Sequence, residues 1–271
     1  MTDRFFQIHE DEIRIPDLTK EYHLLQISDT HICACDAQSS PEEIRQAEEW
    51  EESWKETKKF FAGLAGEYFG SEQELTTVEA FRKLMRYAAE EKPDLLVLAG
   101  DLLEEMHPAG ERLLRQALQE YPGQYLCVAG NHEEEYLEGV WESKPRLVQF
   151  EGFQLLAVDD RIKTVSEETL DVLRSIVLNP VPTIIVTHIP LCTDKNREDL
   201  GLFQPYFFID ENSEDANAAE FVRLIRDNAC FVAVLCGHLH GYLKTMISED
   251  KYQVCSSQGM IGAVNKIRIC G

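Results

Sequence analysis

Five short blocks of polar residues in this sequence combine Asp, Asn and His side chains in ways that suit metal binding. In chain order they are Asp29-Thr30-His31, Gly100-Asp101, Gly130-Asn131-His132-Glu133, Thr187-His188 and Gly237-His238-Leu239-His240. Imidazole nitrogens and carboxylate or amide oxygens form a mixed ligand set that suits Mn, Fe, Zn or Co ions, whereas Ca²⁺ takes oxygen ligands. One such block alone is weak evidence, but five in succession predict a metal site.

Short apolar segments of strand length recur along the chain, and all but one of them end at a polar block. These predicted strands are Leu24–Ser28, Leu95–Ala99, Tyr125–Ala129, Phe153–Val158, Ile184–Thr187 and Phe231–Leu235. Helices are predicted between them, over Val78–Glu90, after Ser166 and over Ala216–Asn228. The alternation predicts an α/β domain. Because the carboxyl ends of parallel strands open into one crevice, we expect the blocks to converge there.

The number of candidate ligands exceeds what one ion needs. The candidates are Asp29, His31, Asp101, Asn131, His132, His188, His238 and His240. Two ions about 3.5–4 Å apart, bridged by a carboxylate and a water or hydroxide, would use such a set. A glycine precedes Asp101, Asn131 and His238, where the chain is expected to turn sharply at the end of a strand.

These blocks resemble the motif order of the calcineurin-like metallophosphoesterases, which is Asp-x-His, Gly-Asp, Gly-Asn-His-Asp/Glu, His and Gly-His-x-His. All five motifs are present between Asp29 and His240. The resemblance implies that family's four-layer α/β/β/α sandwich and two divalent metal ions, Mn, Fe or Zn. It also implies hydrolysis of phosphate esters by a hydroxide that bridges the metals.

The resemblance assigns the metal ligands in two groups that share a bridging carboxylate. It makes Asp29, His31 and His240 ligands of one ion, Asn131, His188 and His238 ligands of the other, and Asp101 the bridge.

The remaining histidine of the third block, His132, resembles the family's non-ligand histidine, which contacts the phosphoryl group and can protonate the leaving oxygen. Together with Asn131 it is expected to contact the substrate. Family members often pair this histidine with an Asp three residues after the bridging Asp, and that position is Glu104 here. The Arg-Gly that follows in the serine/threonine protein phosphatases is replaced by Glu105-Met106, which argues against protein phosphatase activity.

Residues 36–75 interrupt the alternation and are interpreted as a helical insertion in a single domain that spans residues 1–271. Ser40-Pro41-Glu42-Glu43 is typical of a helix start. An apolar face follows at Ile44, Ala47, Trp50 or Glu51, Trp54, Phe61, Leu64 and Tyr68. Either this helix packs on the domain, or it caps the site and places Trp50, Trp54, Phe60 or Phe61 against an apolar part of the substrate.

Two other features bear on specificity. Arg161 follows the predicted strand at Phe153–Val158, and a surface salt bridge is favoured there over a phosphate contact. The loop from His188 to Asp215 leaves the same crevice and contains Phe203, Tyr206, Phe207 and Phe208. We expect the substrate to be a small phosphodiester or nucleotide-like compound, the alternatives being a phosphomonoesterase or a non-catalytic scaffold that retains the fold.

Composition narrows the class of protein further. The 271 residues are 44% hydrophobic, which argues against disorder, and 26 basic against 49 acidic residues give a net charge of −23. That charge disfavours an extended nucleic-acid partner. No apolar run approaches the ~20 residues that span a membrane, and the polar start at residues 1–4 lacks a signal-peptide core, so a cytoplasmic location is expected. The eight cysteines are expected to be reduced.

Overall fold

The computed structural model describes residues 4–64, 66, 67, 69, 70, 74–203 and 207–271. The strands are β1 Gln7–Arg14, β2 Tyr22–Ile27, β3 Leu95–Ala99, β4 Tyr125–Val128, β5 Arg146–Phe150, β6 Phe153–Ala157, β7 Thr183–Val186, β8 Leu191–Cys192, β9 Ile209–Asp210, β10 Phe231–Cys236, β11 Leu243–Met246, β12 Tyr252–Cys255 and β13 Ala263–Cys270. The helices are α1 Pro41–Leu64, α2 Thr77–Glu91, α3 Pro108–Glu120, α4 Glu167–Leu178, α5 Arg197–Gly201 and α6 Ala216–Asp227.

The six predicted strands divide between two sheets. One sheet has the order β1-β13-β2-β3-β4, and the other has the order β11-β12-β10-β7-β6-β5. Strands β2, β3 and β4 run parallel in the first sheet, as do β6, β7 and β10 in the second. The carboxyl ends of both parallel groups carry the polar blocks.

Side-chain alternation along the strands explains why the two sheets stack. In β3, Leu96 and Leu98 pack with helices α2 and α3, whereas Leu95 and Val97 pack against the second sheet. The second sheet covers its other face with α4 and α6, in a core that includes Leu170, Phe221, Ile185 and Val234. Three apolar cores therefore separate four layers, which confirms the α/β/β/α sandwich.

Local sequence signals place the helix starts where they were predicted. Helix α2 begins with a capping box between Thr76 and Glu79, and Ser166 caps α4 by accepting a hydrogen bond from the Thr169 amide. Ser40 and Glu43 form the same reciprocal pair at α1. Helix α3 was not predicted. Its cap is His107, whose ring accepts a hydrogen bond from the Ala109 amide, and histidine is an uncommon capping residue.

All eight cysteines are free thiols. Burial raises the pKa of the Cys127 and Cys236 thiols, so these side chains behave as small apolar groups. In the described part of the chain, no helix is both long enough and apolar enough to cross a lipid bilayer.

The core between the sheets should dominate stability. Phe153 is 1% exposed there, and its ring centre lies 4.9 Å from that of Phe150 and 5.2 Å from that of Tyr22. We predict that Phe153→Ala lowers the free energy of unfolding by about 3–5 kcal/mol, because it removes a buried ring and leaves a cavity. Urea unfolding measures this loss. Phe60→Ala, at a ring that is 65% exposed, is the control, and an equal loss in both variants would contradict the assignment of this core.

Candidate metal centre

The two sheets both contribute side chains to one buried site at their shared edge. Asp29 follows β2, Asp101 follows β3, and Asn131 and His132 follow β4 in the first sheet. The second sheet supplies His188 after β7, and His238 and His240 after β10. The predicted convergence therefore holds across two sheets instead of within one.

Much of the backbone at this site is in the left-handed region. The φ angles of these residues are 52° at Asp29, 41° at His31, 49° at Asp101, 74° at His238 and 55° at His240. A non-glycine residue adopts this conformation only when its surroundings compensate for roughly 1–3 kcal/mol of strain. Here the turns aim successive side chains from the strand ends back into the gap between the sheets.

Glycines next to these residues allow the close packing. Gly100 has a φ of +84°, and a Cβ atom there would lie 2.4 Å from Nδ1 of His188. A Cβ atom on Gly130 would lie 2.1 Å from Oδ1 of Asp101. No side chain fits at either position, because both distances are far below van der Waals contact.

Four of the side chains form a first group of donors. The ligand atoms of Asp29, His31, Asp101 and His240 all lie within 4.8 Å of one another. Nε2 of His31 lies 3.0 Å from Nε2 of His240 and 3.9 Å from Oδ2 of Asp101. Nε2 of His240 lies 3.5 Å from Oδ1 of Asp29.

A second group of donors shares one member with the first. Asp101, His188 and His238 have ligand atoms within 4.8 Å of one another. Nε2 of His188 lies 3.1 Å from Oδ2 of Asp101 and 3.2 Å from Nδ1 of His238. Oδ1 of Asn131 is buried without a hydrogen-bond partner among the described residues. The carboxylate of Asp101 thus belongs to both groups, as a bridging ligand must.

The ligand atoms of these two groups suit two divalent ions of the type that bind both nitrogen and oxygen ligands. Ring nitrogens 3.0–3.2 Å apart need either a shared proton or a cation between them, and the buried amide oxygen of Asn131 needs a partner. Imidazole with carboxylate suits Mn, Fe or Zn.

Electrostatics at the site favour bound cations. Burial by itself raises the pKa of Asp101, but the neighbouring His188 holds it well below its usual range, so this carboxylate is ionised. Burial lowers the pKa of His238 to about 3, and it also lowers the pKa of His240, so both rings are neutral and can bind metal. Burial raises the pKa of Asp29 to about 6, a cost that a nearby cation would remove.

Hydrogen bonds outside the donor groups fix the ring orientations. Nδ1 of His188 donates to the carbonyl oxygen of Ala99 at 2.8 Å, and Nδ1 of His31 donates to Oε2 of Glu104 at the same distance. Burial by itself lowers the pKa of His188, but the neighbouring Asp101 raises it to about 10, so Nε2 of this ring must release a proton before it can bind metal. Because each bond occupies Nδ1, Nε2 of the neutral ring is the nitrogen whose lone pair is directed at the other ligand candidates.

Similarity to known proteins agrees with this arrangement. The family model of the calcineurin-like phosphoesterases matches residues 22–242. The chain belongs to this family. A protein of Synechococcus described as a probable cyclic nucleotide phosphodiesterase is 26% identical over 163 residues, which are 55% of this chain and 58% of that protein.

Solved structures show the same fold at low sequence identity. A dimetal phosphatase from Danio rerio has a TM-score of 0.55 and 11% identity, with 90% of this chain and 91% of that chain covered. A purple acid phosphatase from yellow lupin has a TM-score of 0.52 and 11% identity, with 92% and 45% covered.

Two buried carboxylates hold the loops of this calcineurin-like phosphoesterase in place. Glu133 accepts hydrogen bonds from the amides of Gly130, Asp101 and Leu103 at 2.5, 3.0 and 2.7 Å. This explains why an acidic residue follows Gly-Asn-His.

The second carboxylate is Asp160, which accepts from the amides of His188 and Ile189 at 2.9 and 2.8 Å. Burial raises the pKa of Glu133 and of Asp160 to about 7. Neither carboxylate was predicted to have this role. Asp160 stands two residues after the predicted strand end at Val158, but its contact with the loop after β7 depends on strand pairing that local sequence does not reveal.

The position of Glu104 differs from the expected pairing with His132. Oε2 of Glu104 lies 3.7 Å from Nδ1 of His132 but 2.8 Å from Nδ1 of His31. His132 donates instead to the backbone carbonyl oxygen of Glu104, at 2.9 Å. Because Glu has one methylene more than Asp, the carboxylate of Glu104 lies beyond His132 and reaches His31, a candidate metal ligand.

An open cavity of about 530 Å³ adjoins the candidate metal centre at Asn131. Its lining includes Asn131, His132 and the side chain of Trp50. Glu105, Glu134 and Glu135 make its wall acidic.

Aromatic rings cover the candidate ligand histidines from two sides. From α1, Trp54 lies 4.5 Å from His31 and Phe61 lies 4.9 Å from His240, as measured between ring centres. From the loop after His188, Phe207 stacks on His238 at 4.4 Å. The helix of the predicted insertion thus contacts the candidate metal centre directly.

Other residues that the sequence analysis singled out lie elsewhere. Leu64, predicted on the apolar face of α1, is 43% exposed, and Phe203 and Phe208 pack into a small core near Leu200. Tyr68 and Tyr206 lie outside the described residues. Nε of Arg161 lies 3.4 Å from a carboxylate oxygen of Asp159, but the two side chains are only 11% and 14% exposed, so the predicted salt bridge is present and is largely buried rather than on the surface.

Loss of the Glu133 carboxylate should loosen the turns that carry Asp101 and Asn131. We predict that Glu133→Gln lowers the free energy of unfolding by about 1–3 kcal/mol, because the amide has one acceptor oxygen where the carboxylate uses two. Chemical denaturation at about pH 8, where Glu133 is ionised, measures the loss. Glu134→Gln is the matched control at an exposed neighbour, and a loss as large there would show that Glu133 has no special structural role.

Proposed function

We propose that this protein hydrolyses phosphate esters with two divalent metal ions, and that its substrates are small phosphodiesters or nucleotide-like compounds. The observation that carries the proposal is the carboxylate of Asp101, which two groups of buried donors share. A single bound ion would leave one of these groups unused. Membership of the calcineurin-like phosphoesterase family supports the reaction type.

Bound divalent ions would supply Lewis-acid charge and lower the pKa of a coordinated water. The chain's own residues would orient the ester and handle protons. Because Nδ1 of His132 donates to the carbonyl oxygen of Glu104, the nitrogen left to exchange protons with a ligand is Nε2. His132 also borders the open cavity, so Nε2 would hold the proton that the leaving oxygen takes.

Three observations support a small substrate. The cavity beside His132 measures about 530 Å³, which suits a small molecule. Its acidic wall and the net charge of −23 both disfavour a polyanionic chain. The similarity to a protein described as a probable cyclic nucleotide phosphodiesterase favours a nucleotide-like diester.

Replacement of the bridging carboxylate tests the proposal. We predict that the wild type with added Mn²⁺ hydrolyses bis(p-nitrophenyl) phosphate faster than p-nitrophenyl phosphate. Asp101→Asn should lower diester turnover at least about 100-fold and reduce metal content, because a neutral amide is a poor bridge between two cations. Product absorbance and elemental analysis are the measurements, and Asp171→Asn on the exposed face of α4 is the control.

The possible results separate the alternatives. Preference for the monoester would establish a phosphomonoesterase instead. Metal-loaded protein that turns over neither ester would favour the non-catalytic scaffold. Unchanged turnover in Asp101→Asn would refute the dinuclear mechanism.

The role of His132 predicts a dependence on the leaving group. His132→Asn should slow hydrolysis of alkyl or phenyl esters by about 100-fold or more. It should slow p-nitrophenyl esters much less, because p-nitrophenolate departs without protonation. Comparison of kcat/KM across a series of leaving groups measures the effect. An equal loss for every leaving group would show that His132 binds the phosphoryl group without donating a proton.

A further inference from the structure

We propose that Trp54, on the inserted helix α1, is a positioning residue for the metal ligand His31 and acts on it through Glu104. The inference rests on the proposed metal-dependent function. It assigns the insertion a part in building the metal centre, in addition to any contact with substrate.

A continuous pair of hydrogen bonds connects the helix to the metal centre. Nε1 of Trp54 donates to Oε2 of Glu104 at 3.1 Å, and the same oxygen accepts from Nδ1 of His31 at 2.8 Å. The side chain of Glu104 is 2% exposed and that of His31 is fully buried. Water therefore does not compete for these bonds.

The indole also restricts the orientation of His31 by contact. The ring centres of Trp54 and His31 lie 4.5 Å apart at an angle of 41°, and the indole lies 5.4 Å from His240. One side chain thus packs against two ligand candidates of the same ion while it donates to the carboxylate that orients one of them.

The hydrogen bond from Trp54 determines which histidine forms a hydrogen bond with the carboxylate of Glu104. His132 is within reach as a competing partner, since its Nδ1 lies 3.7 Å from Oε2 of Glu104. When the indole N–H is present, Oε2 of Glu104 accepts two hydrogen bonds, one from Trp54 and one from His31. Without it, the carboxylate is free to turn toward His132, and His31 loses the bond that keeps Nε2 directed at the metal.

Helix α1 is fixed firmly enough to position its indole. Glu51 accepts hydrogen bonds from the amide and the hydroxyl of Thr77 at the start of α2, at 2.6 and 2.5 Å. About two turns beyond Trp54, Ala62 packs with Met260 and Ile261. Trp54 lies between these anchors.

Trp50 provides a matched control on the same helix. Its Nε1 is buried but has no hydrogen-bond partner among the described residues, and it lies one turn before Trp54. Trp50→Phe therefore removes the same atoms as Trp54→Phe without removing a bond to Glu104.

Metal affinity of the intact protein tests the proposal. We expect Trp54→Phe to raise the Kd for Mn²⁺, measured by equilibrium dialysis, by about 10-fold or more, the usual effect of losing a partner of a ligating histidine. Trp50→Phe should leave the Kd unchanged. In a Glu104→Ala background, Trp54→Phe should have no further effect on the Kd, because the group through which it acts is gone.

A measurement on the wild type covers the case in which Trp54→Phe does not fold. Titration with Zn²⁺ should shift the indole N–H resonance of Trp54, whereas that of Trp141, which donates to the carbonyl oxygen of Glu135, should stay in place.

Several results would overturn the inference. An unchanged Kd in Trp54→Phe, an unmoved indole resonance, or an equal loss in the Glu104→Ala background would refute the role of Trp54 and leave the proposed function intact. Failure of the wild type to bind Mn²⁺ at all would refute both.

Discussion

The contacts of one buried carboxylate, that of Asp101, join the two sheets at the candidate metal centre. Asp101 accepts a hydrogen bond from the amide of His132 at 3.0 Å, and its other oxygen lies 3.1 Å from Nε2 of His188. The first contact belongs to one sheet and the second to the other, so the charge of Asp101 lies at the junction between them. A carboxylate without compensation would not remain ionised there, and the surrounding histidines and amides are what compensate it.

The buried charge requires a rigid frame, which polar groups at the strand ends supply. Glu133 accepts a hydrogen bond from the backbone amide of Asp101 in the loop after β3, and Asp160 accepts one from the amide of His188 in the loop after β7. Each half of the sandwich therefore has one such carboxylate. These bonds let the loops turn inward without leaving amides unpaired. The left-handed residues add strain, and the three apolar cores stabilise the frame that retains it.

Sequence patterns predicted most of the strands and helices but few of the contacts between residues distant in the chain. The strands and the helix caps at Thr76 and Ser166 were correct because each depends on a few neighbouring residues. The edge strands β5 and β11 were missed, since half-exposed strands lack a continuous apolar run, and the short buried strand β12 was missed as well. Division into two sheets and the bonding of Glu104 to His31 rather than His132 depend on residues distant in the chain, so no local pattern encodes them.

The placement of the donors on both sheets has a consequence for the protein as a whole. Any ion that binds between His31 of one sheet and His240 of the other acts as a cross-link between two layers that are otherwise joined by side-chain packing and by a few hydrogen bonds, such as that from Gln26 to the carbonyl oxygen of Cys236. Occupancy by metal and adhesion of the sheets are therefore thermodynamically linked, and each strengthens the other. A substitution deep in the interlayer core, far from any donor, can present as a defect in metal retention, and scarcity of metal can present as instability of the fold.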